Sequence, residues 1–365
     1  MTRIALLGPA NSIHLRRWAN AFVQRGHALC VISQHRCERA LLPPSAEVVW
    51  LPHVGPLGYF RNALPLRRTL AQWKPDILNA HYASGYGSTA ALCGFKPTLL
   101  SVWGSDVYDF PYESALNGWL LRRNLRRATA LASTSEAMAR QVRHLVPQCG
   151  EIEVTPFGVD LTKFAPDPTD RVAGRITIGV VKSLAPIYGV DVLMRAFAGL
   201  IQDPGLGAVG EACRLLVVGD GPQRDALEAL AVELGIAARA EFIGAVAHEQ
   251  VPAWLNRLDI YAAPSRLESF GVAVIEASAC ALPVVVSDVG GLPEVVRDGE
   301  TGLVVPRDDV PALQAALKRL VLDPALREQL GRRGRAHVAA TYEWGHGVDV
   351  MERCYANTIA RGTRP

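Results

Sequence analysis

The run Glu268-Ser-Phe-Gly-Val-Ala-Val-Ile-Glu276 follows a short apolar stretch, Asp259-Ile-Tyr-Ala-Ala-Pro-Ser265, and leads into Glu276-Ala-Ser-Ala-Cys-Ala-Leu-Pro283. It reads as a strand, a loop and a helix beginning near Ser269. A helix start offers backbone N–H groups without intrahelical partners and a partial positive charge, and both favour a phosphate. Ser269, Phe270 and Gly271 are expected to supply those donors, with Gly271 letting a ligand come close to the backbone. Glu268 and Glu276 then flank the anion site. A fully helical step from Ser269 to Glu276 rises about 10 Å, which suits two carboxylates gripping opposite ends of a long ligand. A glycosidase pair sits about 5 to 9.5 Å apart, so that chemistry is disfavoured.

Outward from this run, the chain holds two series of short apolar strands separated by helical stretches. Ile4-Ala-Leu-Leu-Gly8 opens the first, which continues through 29–33, 76–80, 98–102, 128–133 and 153–155, with a helix over 14–25 stopped by Gly26. The second runs through 176–181, 214–218, 240–243, 260–263, 283–287 and 302–305. Strands alternating with helices predict parallel sheets joined by right-handed crossovers. The 365 residues exceed one ordinary core and suit two domains. The stretch Ala165-Pro-Asp-Pro-Thr-Asp170 is the expected linker. The predicted fold is therefore α/β, with two doubly wound Rossmann-like domains, 1–165 and 171–343, facing a central cleft where the carboxyl ends of the strands take ligands.

Composition agrees with a soluble globular chain: 20% charged and 49% hydrophobic residues. The seven cysteines are odd in number and form no Cys-x-x-Cys pair, which fits a reducing cytoplasm. The N-terminal apolar stretch is too short for a signal peptide and reads as a strand, and no apolar run approaches the roughly 20 residues of a membrane span. The net charge of +3 hides an asymmetry. Residues 1–165 carry 18 Lys+Arg against 10 Asp+Glu, and the remainder 20 against 25. The basic half is expected to meet something anionic.

The Glu-x7-Glu run, with Pro264-Ser-Arg-Leu-Glu268 before it and Val289-Gly-Gly-Leu-Pro-Glu294 after it, resembles the signature of the family-4 retaining glycosyltransferases, which have the GT-B fold. The similarity extends over nearly the whole chain. It implies transfer of a sugar from a UDP- or GDP-sugar to an alcohol, with retention at the anomeric carbon and without metal or other cofactor. By the same resemblance, the first domain takes the acceptor, the second takes the donor, and the segment 344–365 crosses back onto the first domain. Glu268 is then the contact to the donor sugar's hydroxyls and Glu276 the contact to the ribose. Val218-Gly-Asp-Gly-Pro222 resembles the family's loop beside the nucleotide, through Gly219 and Gly221. Lys182 fits the first of two cations that hold the diphosphate. The second position, five residues on, is Ile187. A lost charge-assisted hydrogen bond is worth about 1.5–3 kcal/mol. Diphosphate binding is thus expected to weaken about 10- to 100-fold, unless Arg266, or a register shifted by a residue, supplies the charge or Tyr188 offers a hydroxyl.

In the first half, Gly8-Pro-Ala-Asn-Ser-Ile-His14 has one glycine where relatives often have two. Asn11 and Ser12 can cap the next helix and, with His14, are acceptor-side candidates. His81 and Asp106 follow strand ends and are catalytic candidates near the anomeric carbon. Trp103 stands where many relatives have a His, and it can stack on a sugar face. Core packing or a solvated surface competes with function for each of them. Arg122, Arg123, Arg126 and Arg127 lie on one side of a helix and are a candidate contact to anionic lipid, with a solvated face as the plain alternative. The resemblance adds a lipid-linked or polysaccharide acceptor in cell-surface polysaccharide synthesis. The expected location is cytoplasmic, including the inner face of the membrane.

Other classes fit less well. The Asp-x-Asp triplet of metal-dependent glycosyltransferases is absent, and no His/Cys cluster suggests a metal site. Gly-x-Gly-x-x-Gly follows the first strand of neither half, which disfavours a dinucleotide oxidoreductase. The basic half has no aromatic-basic motif for nucleic acid. Two rivals stay open: a nucleotide-sugar epimerase on the same scaffold, and a non-catalytic sugar-nucleotide-binding module.

Overall fold

A computed structural model describes residues 1–167, 169 and 171–362. Parts of the expected linker (Pro168 and Asp170) and of the expected crossover segment (363–365) therefore lie outside the described residues. The chain divides into two compact units, Met1–Pro156 with Gly347–Pro365, and Phe157–His346. The change of unit falls between Pro156 and Phe157, ahead of the proline-rich stretch. Phe157 packs edge-on against Phe270 at 6.3 Å and Val159 bridges Glu343, which ties this segment into the second unit.

The first unit holds seven strands: β1 (Arg3–Leu7), β2 (Ala28–Ser33), β3 (Glu47–Trp50), β4 (Ile77–His81), β5 (Thr98–Ser101), β6 (Ala130–Ser133) and β7 (Ile152–Val154). They form one parallel sheet in the order β3-β2-β1-β4-β5-β6-β7. Helices cover both faces, so β1 and β2 read as unbroken apolar runs rather than alternating ones. On one face Phe22, from the helix Ile13–Gln24, meets Tyr355 of the final helix at 5.2 Å, and Arg25 pairs with Asp349. Elsewhere Leu66, Tyr86, Leu121 and Met138, from four other helices, join the strands in one core. β3 is not among the expected strands: its four residues at the sheet edge are only half-buried or exposed and make no long apolar run.

The second unit holds six strands: β8 (Ile176–Val181), β9 (Cys213–Val218), β10 (Ala240–Gly244), β11 (Ile260–Ala263), β12 (Val284–Ser287) and β13 (Leu303–Val305). The order is β10-β9-β8-β11-β12-β13, again parallel. Leu193, Phe197, Leu313 and Leu317 fill the core beneath it. The expected helix start near Ser269 is corrected: the helix spans Val272–Ala279 and Gly271, at φ 111°, is its cap. Phe270 is drawn into the core against Phe157 and Tyr342, which holds 269–271 out of the helix. The helical step to Glu276 is correspondingly shorter than the one expected from Ser269.

In each sheet the strand order reverses direction once, between β1 and β4 and between β8 and β11. Connections leave such a point in opposite directions and open a crevice at the carboxyl ends of the strands.

Candidate functional site

In the second unit the switch point brings two of the expected residues together. Lys182 follows β8 directly, and Glu268 follows β11 by five residues. Lys182 Nζ donates to Glu268 Oε2 at 2.6 Å, and both side chains are mostly buried. Two glycines allow the loops to come this close. A Cβ on Gly219 would lie 1.8 Å from the Lys182 carbonyl oxygen, and one on Gly290 would lie 1.7 Å from that of Glu268. Gly221 sits in the same turn, against Leu184. Burial pushes the Lys182 ammonium down, but the charge and hydrogen bond of Glu268, with help from Tyr188 and Glu276, outweigh it and raise the pKa. Lys182 is therefore fully cationic at neutral pH.

The Tyr188 ring carries Lys182 Nζ 4.3 Å from its centroid, a cation–π contact. Ile187 is 39% exposed, and its carbonyl accepts from the backbone N–H groups of Arg266 and Leu267. The side chain from this loop that meets Lys182 is thus Tyr188.

Arg266, the alternative cation for a diphosphate, is held within its own loop region. Its guanidinium donates to Asp191 Oδ1 and Oδ2 at 2.8 and 2.7 Å, to Asp308 Oδ1 at 2.6 Å and to the Pro186 carbonyl at 2.8 Å. Two carboxylates pair with it. Burial pushes the Asp191 carboxyl up, but the hydrogen bond and charge of Arg266, together with backbone N–H donors, outweigh it, and the Asp191 pKa falls below the usual range. Arg266 fastens the 186–191 loop beside Lys182.

Glu276 lies on the helix Val272–Ala279 and is 5% exposed. Its Oε1 is 2.9 Å from His248 Nε2, and the His248 ring tilts against Phe164 at 5.6 Å. The sequence reading missed His248; it lies in a short 3-10 turn after β10, with no motif around it. Ser269, Phe270 and Gly271 occupy the turn between the two glutamates, with Phe270 buried.

In the first unit His81 closes β4 and packs beneath Gly8, where a Cβ would lie 3.2 Å from His81 Cβ. His81 is 0% exposed, and neither ring nitrogen has a hydrogen-bond partner among the described residues. Burial pushes its pKa down to about 3, so the ring is neutral. Trp103 meets His81 and Tyr82 at 4.9 Å each, and His14 at 5.8 Å. Ser12 caps the helix Ile13–Gln24 by accepting from His14 N–H, while Asn11 is exposed. Asp106 is 1% exposed. Its Oδ2 accepts from Ala83 N–H at 2.7 Å, and its Oδ1 from Gly104 and Trp103 N–H at 2.8 and 3.1 Å. Burial raises the Asp106 pKa against the pull of those three donors. Its carboxylate staples the Trp103 loop to the end of β4.

Arg126 and Arg127 are exposed, and Arg122 and Arg123 half-buried, on the helix Ala115–Arg127. Among the described residues no group of three or more His, Cys, Asp or Glu side chains is placed to hold a metal ion, and no helix is long and apolar enough to cross a membrane.

Two parallel-sheet, Rossmann-like units are the architecture of the glycosyltransferases with the GT-B fold. Residues 163–337 match the family model described as glycosyl transferases group 1, and residues 3–135 the one described as glycosyl transferase 4-like. The chain is 35% identical over 281 residues to the GDP-mannose-dependent alpha-(1-6)-phosphatidylinositol monomannoside mannosyltransferase of Mycolicibacterium smegmatis, covering 71% of this chain and 69% of that protein. It is 38% identical over 241 residues to the D-inositol 3-phosphate glycosyltransferase of Rhodococcus opacus, covering 62% and 52%. This chain thus spans about half the length of several curated relatives. Among solved structures, the sucrose-phosphate synthase of Thermosynechococcus elongatus has the same fold, with a TM-score of 0.84 at 22% identity over 99% of this chain and 100% of that chain. Anabaena HepE, solved with UDP, gives 0.80 at 18% identity over 97% and 100%. The chain belongs to the family-4 glycosyltransferases.

Proposed function

We propose that this chain moves a sugar, with retention, from a UDP- or GDP-sugar to an alcohol, using the second unit for the donor and the first for the acceptor. The observation that carries this reading is the Lys182–Glu268 pair at the β8/β11 switch point, with Glu276 on the helix that follows. Lys182 and the turn 269–271 meet the departing diphosphate, where fixed charges and N–H groups stabilise it more than water does. Gly219 and Gly221 let the nucleotide lie against the backbone. Glu268 takes the sugar hydroxyls once the donor's phosphates compete for Lys182, and Glu276 takes the ribose.

On the acceptor side, His81 offers an unpaired ring at the switch point of the first sheet, and a buried polar group without a partner fits a place completed by a ligand. His81, Trp103, His14, Ser12 and Asn11 line that end of the first unit, with Asp106 setting the loop. An internal return, in which the leaving phosphate deprotonates the acceptor hydroxyl, is the step that the family resemblance implies. Retention comes from the family resemblance. The names of the relatives point to a phosphorylated polyol or a lipid-linked glycan as acceptor and include a GDP-mannose donor. The proposed setting is cell-surface polysaccharide synthesis in the cytoplasm or at the inner membrane face, without a metal.

The test is incubation with UDP- and GDP-sugars, with and without polyol phosphates and lipid-extracted glycans, in the presence of a chelator. A glycosylated acceptor whose anomeric configuration matches the donor, read by NMR, supports the proposal. An isomerised donor without acceptor would assign an epimerase, and no turnover with intact nucleotide binding a non-catalytic module.

A further inference from the structure

The first unit exposes apolar side chains in two short stretches, one of them at 54–64 and the other at 112–119. Val54, Leu57, Phe60 and Leu64 stand close together, 44–73% exposed. The helices Gly55–Arg61 and Ala63–Trp73 run on through Asn62, which keeps right-handed helical backbone, donates to the Gly58 carbonyl and accepts from Leu66 N–H. Along this nearly continuous rod Gly58, Asn62, Leu66 and Leu70 turn to the core at a four-residue step. The outer side carries Leu57, Phe60 and Leu64, with Arg61, Arg67 and Arg68 exposed on the same turns.

From Val48 to Pro75 there is no Asp or Glu. An exposed apolar strip rimmed by cations and free of acids complements an anionic lipid surface. Leucine and phenylalanine sink to the acyl boundary, and guanidinium groups meet the headgroup phosphates. The helix Ala115–Arg127, the contact expected from the sequence, fits less well: it exposes Leu116 and Trp119, but Asp109 and Glu113 come just before it and two of its four arginines are half-buried.

We propose that the outer face of Gly55–Arg61 and Ala63–Trp73 docks on an anionic phospholipid bilayer. This goes beyond the transferase proposal, and its test uses neither donor nor acceptor, so the two stand or fall separately.

The full chain is sedimented with phosphatidylcholine vesicles, with and without phosphatidylglycerol. Binding is expected only where phosphatidylglycerol is present. Replacing Arg61, Arg67 and Arg68 together by Ser should weaken it about 100-fold, from the roughly 1 kcal/mol of each cation near such a surface. Leu57→Ser with Leu64→Ser should also weaken it, and since all five side chains are exposed, the thermal midpoint should not move. Three results would overturn the proposal. One is failure to bind either vesicle. Another is loss of binding on replacing Arg122, Arg123, Arg126 and Arg127 with Ser, but not on replacing the other three arginines. The third is a concentration-dependent dimer abolished by Leu57→Ser, which would give the face to a second copy of this chain.

Discussion

Lys182 Nζ and Glu268 Oε2 are 2.6 Å apart, joining the loops after β8 and β11 at the point where the second sheet reverses its order. The pair is mostly buried, so neither charge has much water to fall back on. Lys182→Ala removes one charge and leaves the other stranded. The expected loss is about 1.5–3 kcal/mol. Urea unfolding of Lys182→Met, Glu268→Gln and the double variant measures the coupling, and the double variant should be less costly than the sum of the singles. Strict additivity would mean the ion pair contributes nothing.

Arg266 connects Asp191 and Asp308 through a planar fork that lysine does not have. Arg266→Lys should therefore lose about 1–2 kcal/mol of stability and free the 186–191 loop. The loosened loop should raise KM for the donor more than it lowers kcat. Equal thermal midpoints for Arg266→Lys and the parent would rule out this fastening role.

Tyr188, rather than Ile187, places its side chain against Lys182. Tyr188→Lys should tighten nucleoside diphosphate binding about tenfold or more, whereas Ile187→Lys should leave it within about threefold. Calorimetric titration of both variants decides, and the reverse ranking would return the role to residue 187.

His81 gives a pH dependence whose sign is fixed. Its folded pKa is about 3, against about 6.5 in an unfolded chain. Between those values the unfolded state binds a proton that the folded state refuses, so stability falls as pH drops below about 6.5. The contribution lost is about 1.4 kcal/mol per pH unit, or roughly 2 kcal/mol by pH 5. The drop in thermal midpoint from pH 7 to pH 5 should be smaller in His81→Leu than in the parent. An identical drop in both would show that His81 is hydrated or paired in solution.

The two-sheet architecture was legible because strands buried on both faces print themselves as apolar runs, as Ile4 to Leu7 and Val284 to Val286 do. Glu268, Glu276 and Lys182 were legible because each lies in or just beyond a recognisable strand-loop-helix run. Contacts between distant segments were not. Arg266 looked free until its partners, 75 and 42 residues away in sequence, were placed. His248 reaches Glu276 across 28 residues, with no local pattern to announce it. The late helix start at Val272 depends on Phe270 finding its aromatic neighbours, which propensity alone does not reveal.

The most direct test is calorimetric titration of the full chain, in chelator, with UDP, GDP, ADP and their sugar conjugates, repeated on Glu276→Ala. One base series should bind without metal, and Glu276→Ala should weaken that binding about 10- to 100-fold by removing charge-assisted hydrogen bonds to the ribose. If no nucleotide binds, or if Glu276→Ala binds as tightly as the parent, the β8/β11 switch point is not the donor site.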